Sequence, residues 1–518
     1  MNTKNIFKWA AGALCLATAV LTTSCSSDFL DREPEGYYAT DKQVSEAAKW
    51  NANVMLGQMN SVTSRLISWR SGGTSQQHDF GQKSVDIATD LMSGDMVFSR
   101  GCNYGWFRND ARLLNATANA ERSSVIWTTY YKIIYDANSC IEAVGGVEPD
   151  GDEQKLYFAA AKVARAWAYF NLVVNYARNY ETSKTQKILP VYDKVVDAAG
   201  APQTVDSVYN FILKDLDEAF TAYVNAANDG YELTGIDQPN YDVCQTLKAY
   251  VLMQRGAAGD YAAALQAADL ALQITDKSIL PQSELFYGFN TINNNNWMWG
   301  IDINENNTGG LCTFWGMMDY FTYSYTAAGD VKSINSTLFS QIPATDARKN
   351  WFGFYSGGQF VQVPTFLLPI NKFFDNGRSP MGDRNWRNDI HFMRVEEAYL
   401  LAAEAAARLG DAGTAVSYLQ PLVEERDADK AATLATMSAS ELLDEIYFEW
   451  RVELWGEGRS LITAKRFKKD LQRSANDYYG ATIGNQGATN YNDKVYYFSI
   501  PTYELENNPL MKEATIIQ

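Results

Sequence analysis

FMRVEEAYLLAAEAAARLGDAGTAVSYLQPLVEERD, from Phe392 to Asp427, is the stretch whose reading decides the fold. Apolar residues at Phe392, Val395, Ala398, Tyr399, Ala402, Ala403 and Ala406 fall at helical spacing, and Gly410-Asp411 ends the run where a turn residue is expected. A second helix begins at once. Its small-residue face (Ala415, Tyr418, Leu419, Leu422) finds cover only against the first helix, because so short a connection permits nothing but an antiparallel pair. Further on, ELLDEIYFEWRVELWGEGRSLITAKRFKKDL runs from Glu441 to Leu471 and carries Glu445, Glu449, Glu453 and Glu457 at i,i+4. That spacing reads as a solvated or arginine-paired helix face.

The same pattern occurs earlier. YDVCQTLKAYVLMQRGAAGDYAAALQAADLALQ, from Tyr241, aligns with the later stretch so that Gly259-Asp260 falls on Gly410-Asp411 and Ala264 on Ala415. Two copies of one helical hairpin argue for a helical-repeat scaffold, and small residues on both helices with Gly-Asp between them resemble tetratricopeptide repeats. Each unit leaves a hydrophobic face that needs a neighbour, so further hairpins are expected. The segments with this character are about 41–60, 123–180, 204–225, 241–274 and 391–471.

The chain has 518 residues, 46% of them hydrophobic, and a formal charge of −17. A balance this acidic, with no long basic run, argues against nucleic acid as a partner. Residues 1–24 read as an export signal: Lys4 and Lys8 precede a short apolar run from Trp9 to Leu21, and TTSC follows. The run is too short to span a bilayer. Small residues before Cys25 fit a bacterial lipoprotein signal in which Cys25 becomes the acylated N-terminus, although Thr22 stands where a leucine is usual. Residues 25–40 then form a polar tether, and the protein is expected to be anchored to a membrane. Of the other cysteines, Cys102, Cys140, Cys244 and Cys312 match no metal spacing, and Cys140 and Cys244 sit on apolar helical faces.

Val44 to Asn60 reads as a first helix, and Ser68 to Gln82 as a Gly/Ser/Gln-rich loop. Trp127, Trp167, Trp450 and Trp455 have helical spacing to other apolar residues and are assigned to the core. Between about 276 and 390 the helical period disappears into a segment dense in Asn, Gly, Trp, Tyr and Phe. A long irregular excursion in a compact protein is usually functional. Within it, Trp297, Trp299, Ile301 and Ile303 alternate as one face of a strand and are assigned to the core.

Taken together, six blocks in order resemble the SusD/RagB family of Bacteroidetes nutrient-binding lipoproteins. They are SCSSDFLD, RAWAYFNLVVNYARNY with ILPVYDKVV, LFSQIPATDARKNWF, HFMRVEEAYLLAAEAAARLGD, the run holding Glu449, Arg451, Glu453, Leu454, Glu457, Gly458 and Arg459, and YYFSIPTYELENNPLMKEA. One departure is visible, Leu461 and Ile462 where the family commonly has an aspartate after the arginine. The resemblance implies a mostly α fold: a tetratricopeptide-like scaffold over 41–518 as one domain, with a loop-rich, partly β excursion. It further implies a lipid-anchored protein on the cell surface at the outer membrane. Such a protein captures oligosaccharide for a TonB-dependent transporter of the SusC type, with no cofactor and no catalysis.

A sugar ring has an apolar face and a hydroxyl rim, so flat aromatics cover the one and amides or charged groups satisfy the other. On that logic Trp106, Trp315, Tyr320 and Tyr323 are the expected aromatic contacts, with Asn103, Asn295 and Asn296 as polar partners. Only His78 and His391 are present, and neither lies near a nucleophile or zinc pattern. Asp302, Asn304 and Asn306 echo a calcium loop, but Asn307 replaces its glycine and Thr313 its closing glutamate. The competing readings are a tetratricopeptide lipoprotein that binds peptide or scaffolds outer-membrane assembly, and a glycoside hydrolase using two carboxylates.

Overall fold

The computed structural model describes residues 40–379, 381–481 and 490–515. The signal, Cys25 and almost all of the tether lie outside the described residues. In chain order the main helices are α1 (Asp41–Ala48), α2 (Asn53–Ile67), α3 (Gln82–Ser93), α4 (Glu121–Ala143), α5 (Asp152–Tyr176), α6 (Val205–Asn228), α7 (Tyr241–Arg255), α8 (Asp260–Ile274), α9 (Val395–Arg408), α10 (Ala412–Glu424), α11 (Ala439–Glu453) and α12 (Ser460–Phe467). The short strands are β1 (Met96–Phe98), β2 (Lys187–Pro190), β3 (Pro202–Thr204), β4 (Trp297–Ile301), β5 (Lys332–Ile334), β6 (Phe354–Ser356), β7 (Gln359–Val361) and β8 (Ile390–Arg394). The fold is mostly α, as the sequence implies.

Helices pack as antiparallel neighbours: α4 on α5, α5 on α6, α7 on α8 and α9 on α10. The two hairpins that align in sequence also stack in space, α8 against α9. Their shared Gly-Asp has a physical cause. Gly259 and Gly410 have φ of +87° and +81°, a left-handed turn that glycine adopts without strain. Asp411 then caps α10 by accepting the Thr414 amide at 3.0 Å, while Asp260 closes its turn through Arg255 at 2.6 Å. Ala264, Ala268, Ala402, Ala403 and Ala406 are fully buried, so the facing backbones come close together.

Two elements differ from the sequence reading. The helix expected over 44–60 is interrupted at Lys49–Ala52, giving α1 and α2. Helix α3, not singled out from sequence, is buried at every position, including Gln82, Lys83, Asp86 and Asp90. The core assignments hold: Trp127, Trp167, Trp450 and Trp455 are at most 3% exposed, and both faces of β4 are covered.

Strand β4 pairs antiparallel with β8, Trp297 opposite Arg394, so the excursion leaves and returns at one place beside α9. Strands β1 and β5 also pair, which ties the 96–112 region to the middle of the excursion. Of the four glutamates at i,i+4, Glu449, Glu453 and Glu457 are buried and arginine-paired, and Glu445 takes Lys430 at 2.6 Å. Glu453, buried, takes Arg426 at 2.9 Å, Arg394 at 2.8 Å and Arg348 at 3.1 Å; Glu457 takes Arg394, Lys372 and His391. Arg459 pairs with Glu397 at 2.7 Å, so its partner lies on α9 and not at 461 or 462. Removing one member would strand a buried charge, a loss of ~3–5 kcal/mol.

Candidate functional site

Four segments bring aromatic rings to one face, and each is fixed by a buried carboxylate or a tight turn. In the first, Asp79 accepts the Gly72 amide at 2.6 Å and the Thr74 amide and hydroxyl at 2.9 Å, folding residues 70–79 into a rigid strap. Trp69 stands at its edge, 37% exposed, its indole donating to the Gln76 carbonyl at 3.0 Å. In the second, Asp330 accepts the Asn103 and Tyr104 amides at 2.6 and 3.2 Å. Gly105, with φ +85°, then turns the chain so that Tyr104 and Trp106 flank one bend.

The third segment follows the short helix Phe314–Met318. Asp319 accepts the Phe321, Thr322 and Asp375 amides, and Tyr323 and Tyr325 follow from that anchor. The fourth is 383–388. Its Trp386 indole donates to the Tyr323 carbonyl at 3.0 Å, and the Thr308 hydroxyl donates to the Trp386 carbonyl at 2.9 Å. A side chain at Gly310 would touch the Trp386 ring, and one at Gly309 would approach the Trp69 backbone. The turn Gly309-Gly310 therefore lies against the Trp386 ring and the Trp69 backbone.

Ring contacts close the arrangement. Tyr104, 50% exposed, packs edge-on against Tyr325 with centroids 4.8 Å apart, and Trp106 lies 6.1 Å from both Tyr325 and His78. Two polar hollows flank these rings. Beside Trp106 is a cleft of about 160 Å³ bordered by Gln76, Asn109, Asp110 and Arg122. Beside Trp69 is a groove of about 810 Å³ bordered by Asn60, Thr63, Asp237, Asn307 and Thr308. The result is an aromatic shelf with amide, hydroxyl and charged groups at both ends.

The titratable groups here do not suit bond breaking. Burial, with Arg122 nearby, pushes the His78 imidazole down to about 2, leaving it neutral. Burial and then Asp330 push the Cys102 thiol up to about 11, so it stays protonated and a poor nucleophile. Asp110 is held in an ion pair by Arg122 at 3.0 Å. Among the described residues no cluster of His, Cys, Asp and Glu could hold a metal. In the 302–307 turn, the Asn304 and Asn307 side chains accept or donate to backbone groups of the turn itself.

Of the residues proposed from sequence, Trp106 and Tyr323 lie on the shelf, both half-buried, and Asn103 is exposed at its border. Trp315 requires correction. It is 1% exposed, packed on Phe314, with its indole donating to the Asp389 carbonyl, because the turn after Gly310 folds it inward. Asn296 is also internal, its amide donating to Glu396 at 3.0 Å. Asn295 is exposed but bonded to Ser278, beyond the end of α8. Tyr320 packs on Phe321 in a small separate core with Leu368 and Phe374. The residues that sequence reasoning passed over are Trp69, Tyr104 and Trp386. Their signal was present: in SWRSGG, CNYGWF and DRNWRN the ring stands among turn-forming or charged residues without apolar partners at helical or strand spacing.

Comparison with known proteins agrees with this architecture. A family model described as "Starch-binding associating with outer membrane" matches residues 73–231, and the SusD family model matches residues 361–515. A "SusD-like protein" of Bacteroides ovatus is 28% identical over 210 residues, a stretch that is 39% of this chain and 33% of that relative. Among solved structures, a SusD-like carbohydrate-binding protein from Bacteroides vulgatus superimposes with a TM-score of 0.74 at 20% identity, covering 90% of this chain and 99% of the other. Surface glycan-binding protein A from Bacteroides uniformis gives 0.64 at 16% identity, covering 89% and 98%. At these identities the structural likeness is one of fold. Two SusD family models, matched in order on separate parts that together make up more than half of the chain, show that it belongs to the SusD-like family.

Proposed function

We propose that this protein is a glycan-binding lipoprotein of the cell surface. It captures oligosaccharide at the outer membrane and passes it to a TonB-dependent transporter of the SusC type, with no catalysis of its own. The shelf carries this reading. Trp69, Tyr104, Trp106, Tyr323, Tyr325 and Trp386 gather on one face although they come from four separate segments, and five carry at least partial exposure. Rings already fixed by hydrogen bonds lose little freedom on binding, and hydroxyl-seeking groups flank them. The starch-binding description of the matching family model and the carbohydrate-binding relatives support the same ligand class.

Of the carboxyls whose pKa burial raises to about 7, Glu449 is buried against Arg348 at 2.6 Å, and Asp90 and Asp319 are enclosed and accept backbone amides. A glycoside hydrolase needs its acid open to substrate, so none of these supplies one. The test is retention of the soluble form, beginning after Cys25, on a panel of immobilised polysaccharides and peptides, with reducing ends assayed alongside. Expected is retention on at least one glycan with no release of reducing ends. Retention of peptide with no glycan bound would replace this reading with the tetratricopeptide one, and released reducing ends would reassign the protein to hydrolysis.

A further inference from the structure

We infer, on the basis of the glycan reading above, that the ligand is an acidic saccharide whose carboxylate or sulfate is held by the Arg70 and Arg384 guanidiniums at the shelf. The observation is how arginines are paired in a chain of net charge −17. Inside the scaffold Arg165, Arg348, Arg394, Arg426 and Arg459 are all matched to carboxylates. Among the described residues Arg70, Arg100, Arg108, Arg112, Arg378 and Arg384 make no ion pair, although acids outnumber bases by 61 to 44. Arg70, Arg108 and Arg384 lie on the segments that build the shelf, whereas Arg100 and Arg378 stack on Phe366 and Phe374 of the small separate core.

Two of them lie directly over shelf rings. The Arg70 guanidinium is 4.2 Å from the Trp69 ring centre, and that of Arg384 is 3.9 Å from the ring centre of Tyr323. Both are exposed. A guanidinium lying over an aromatic ring keeps its N–H edge available, and that edge matches a carboxylate or sulfate with two parallel hydrogen bonds. Arg108 adds charge beside Trp106, where it also donates to the Cys102 carbonyl at 2.8 Å.

Asp237 and Asp302 border the groove beside Trp69, and the other acids near the shelf are mostly engaged elsewhere. Asp79 and Asp330 hold backbone amides, Asp110 holds Arg122, and Glu305 lies 3.6 Å from Arg387. Asp383, exposed and adjacent in sequence, makes no ion pair with Arg384. The Gly309-Gly310 turn lies against the Trp69 backbone and the Trp386 ring, and Trp386 donates to the Tyr323 backbone, so the two cationic sites lie on adjoining segments. A sugar seated there meets a flat apolar surface with positive charge at two edges. The global acidity repels polyanions in general, and the shelf arginines provide local compensation that selects for them at this face.

The experiment is calorimetric titration of the soluble protein with matched pairs of oligosaccharides. One pair is oligogalacturonate and its carboxyl-reduced counterpart; the other is a chondroitin sulfate fragment and its desulfated form. Variants are Arg70→Gln, Arg384→Gln and the double substitution, which remove charge while keeping length. Expected is about tenfold or greater preference for the charged member of at least one pair at low salt, shrinking as salt rises toward about 0.5 M and abolished in the double variant. Which pair shows the preference separates carboxylate from sulfate. Preference for neutral members, or equal loss for charged and neutral members in the variants, overturns the acidic assignment and leaves the glycan reading intact. Binding of acidic peptides alone, or of no saccharide in any wider panel, overturns both.

Discussion

The Trp386 indole is held at its nitrogen by the Tyr323 carbonyl, and its backbone is held by Thr308, so the ring is positioned before any ligand arrives. Trp386→Ala and Tyr104→Ala are each expected to weaken glycan affinity about tenfold, since a well-placed aromatic contributes about 0.5–1.5 kcal/mol beyond its area. Titration of each variant measures this, and an unchanged melting temperature separates it from unfolding. Gly72 predicts the opposite pattern. A Cβ there would stand 2.7–2.8 Å from the Val125 side chain and backbone, so Gly72→Ala should lower stability by about 1–3 kcal/mol and loosen the strap that carries Trp69. Thermal unfolding reports the first effect and the reduced affinity the second. At this scale the sequence was a partial guide. It singled out Trp106 and Tyr323, which the structure leaves half-buried, but gave the internal Trp315 the same weight, because composition says that aromatics crowd a segment and not which way a turn aims each one.

The elements were more legible than the side chains. In both Gly-Asp hairpins the second helix, α8 or α10, keeps a wet face, and a wet face is what makes a period visible, whereas α7 and α9 are buried almost throughout and were legible from their small residues and the shared Gly-Asp. Helix α3 has no wet face although its sequence shows one: Lys83, Asp86 and Asp90 look like surface residues opposite Val85, Ala88 and Leu91, yet all are buried. The glutamates of α11 misled in the same way. Glu453→Gln is expected to cost about 3–5 kcal/mol, since Arg348, Arg394 and Arg426 would lose their common partner inside the protein. Urea unfolding measures it, and a loss below about 1 kcal/mol would mean the cluster is solvated. His391 on β8 sets a pH dependence. Burial, with Lys83 close by, pushes its imidazole down to about 3 despite the Glu457 carboxylate 2.9 Å away. The unfolded chain therefore takes up a proton below about 6.5 that the folded chain refuses, and stability is lost as pH falls through that window. His391→Gln keeps a donor toward Glu457 and should flatten the slope of stability against pH between about 6.5 and 4 by up to about 1.4 kcal/mol per unit.

For the whole molecule, β4 pairing with β8 returns the long excursion to its point of departure, so the repeat stack continues from α8 to α9 as though nothing intervened. That continuity is why two hairpins far apart in the chain could be recognised as one repeat from sequence alone. The location of the shelf could not be recognised so, because it depends on loops from both ends of the chain meeting. The Glu453 cluster has a further consequence. Arg348 fastens the far part of the excursion to the scaffold, and no shelf ring takes part in that attachment. Foldedness and taste for a ligand thus reside in different side chains. Exchanging Trp69, Tyr104 or Trp386 can therefore change what this face holds while the frame stays as it was.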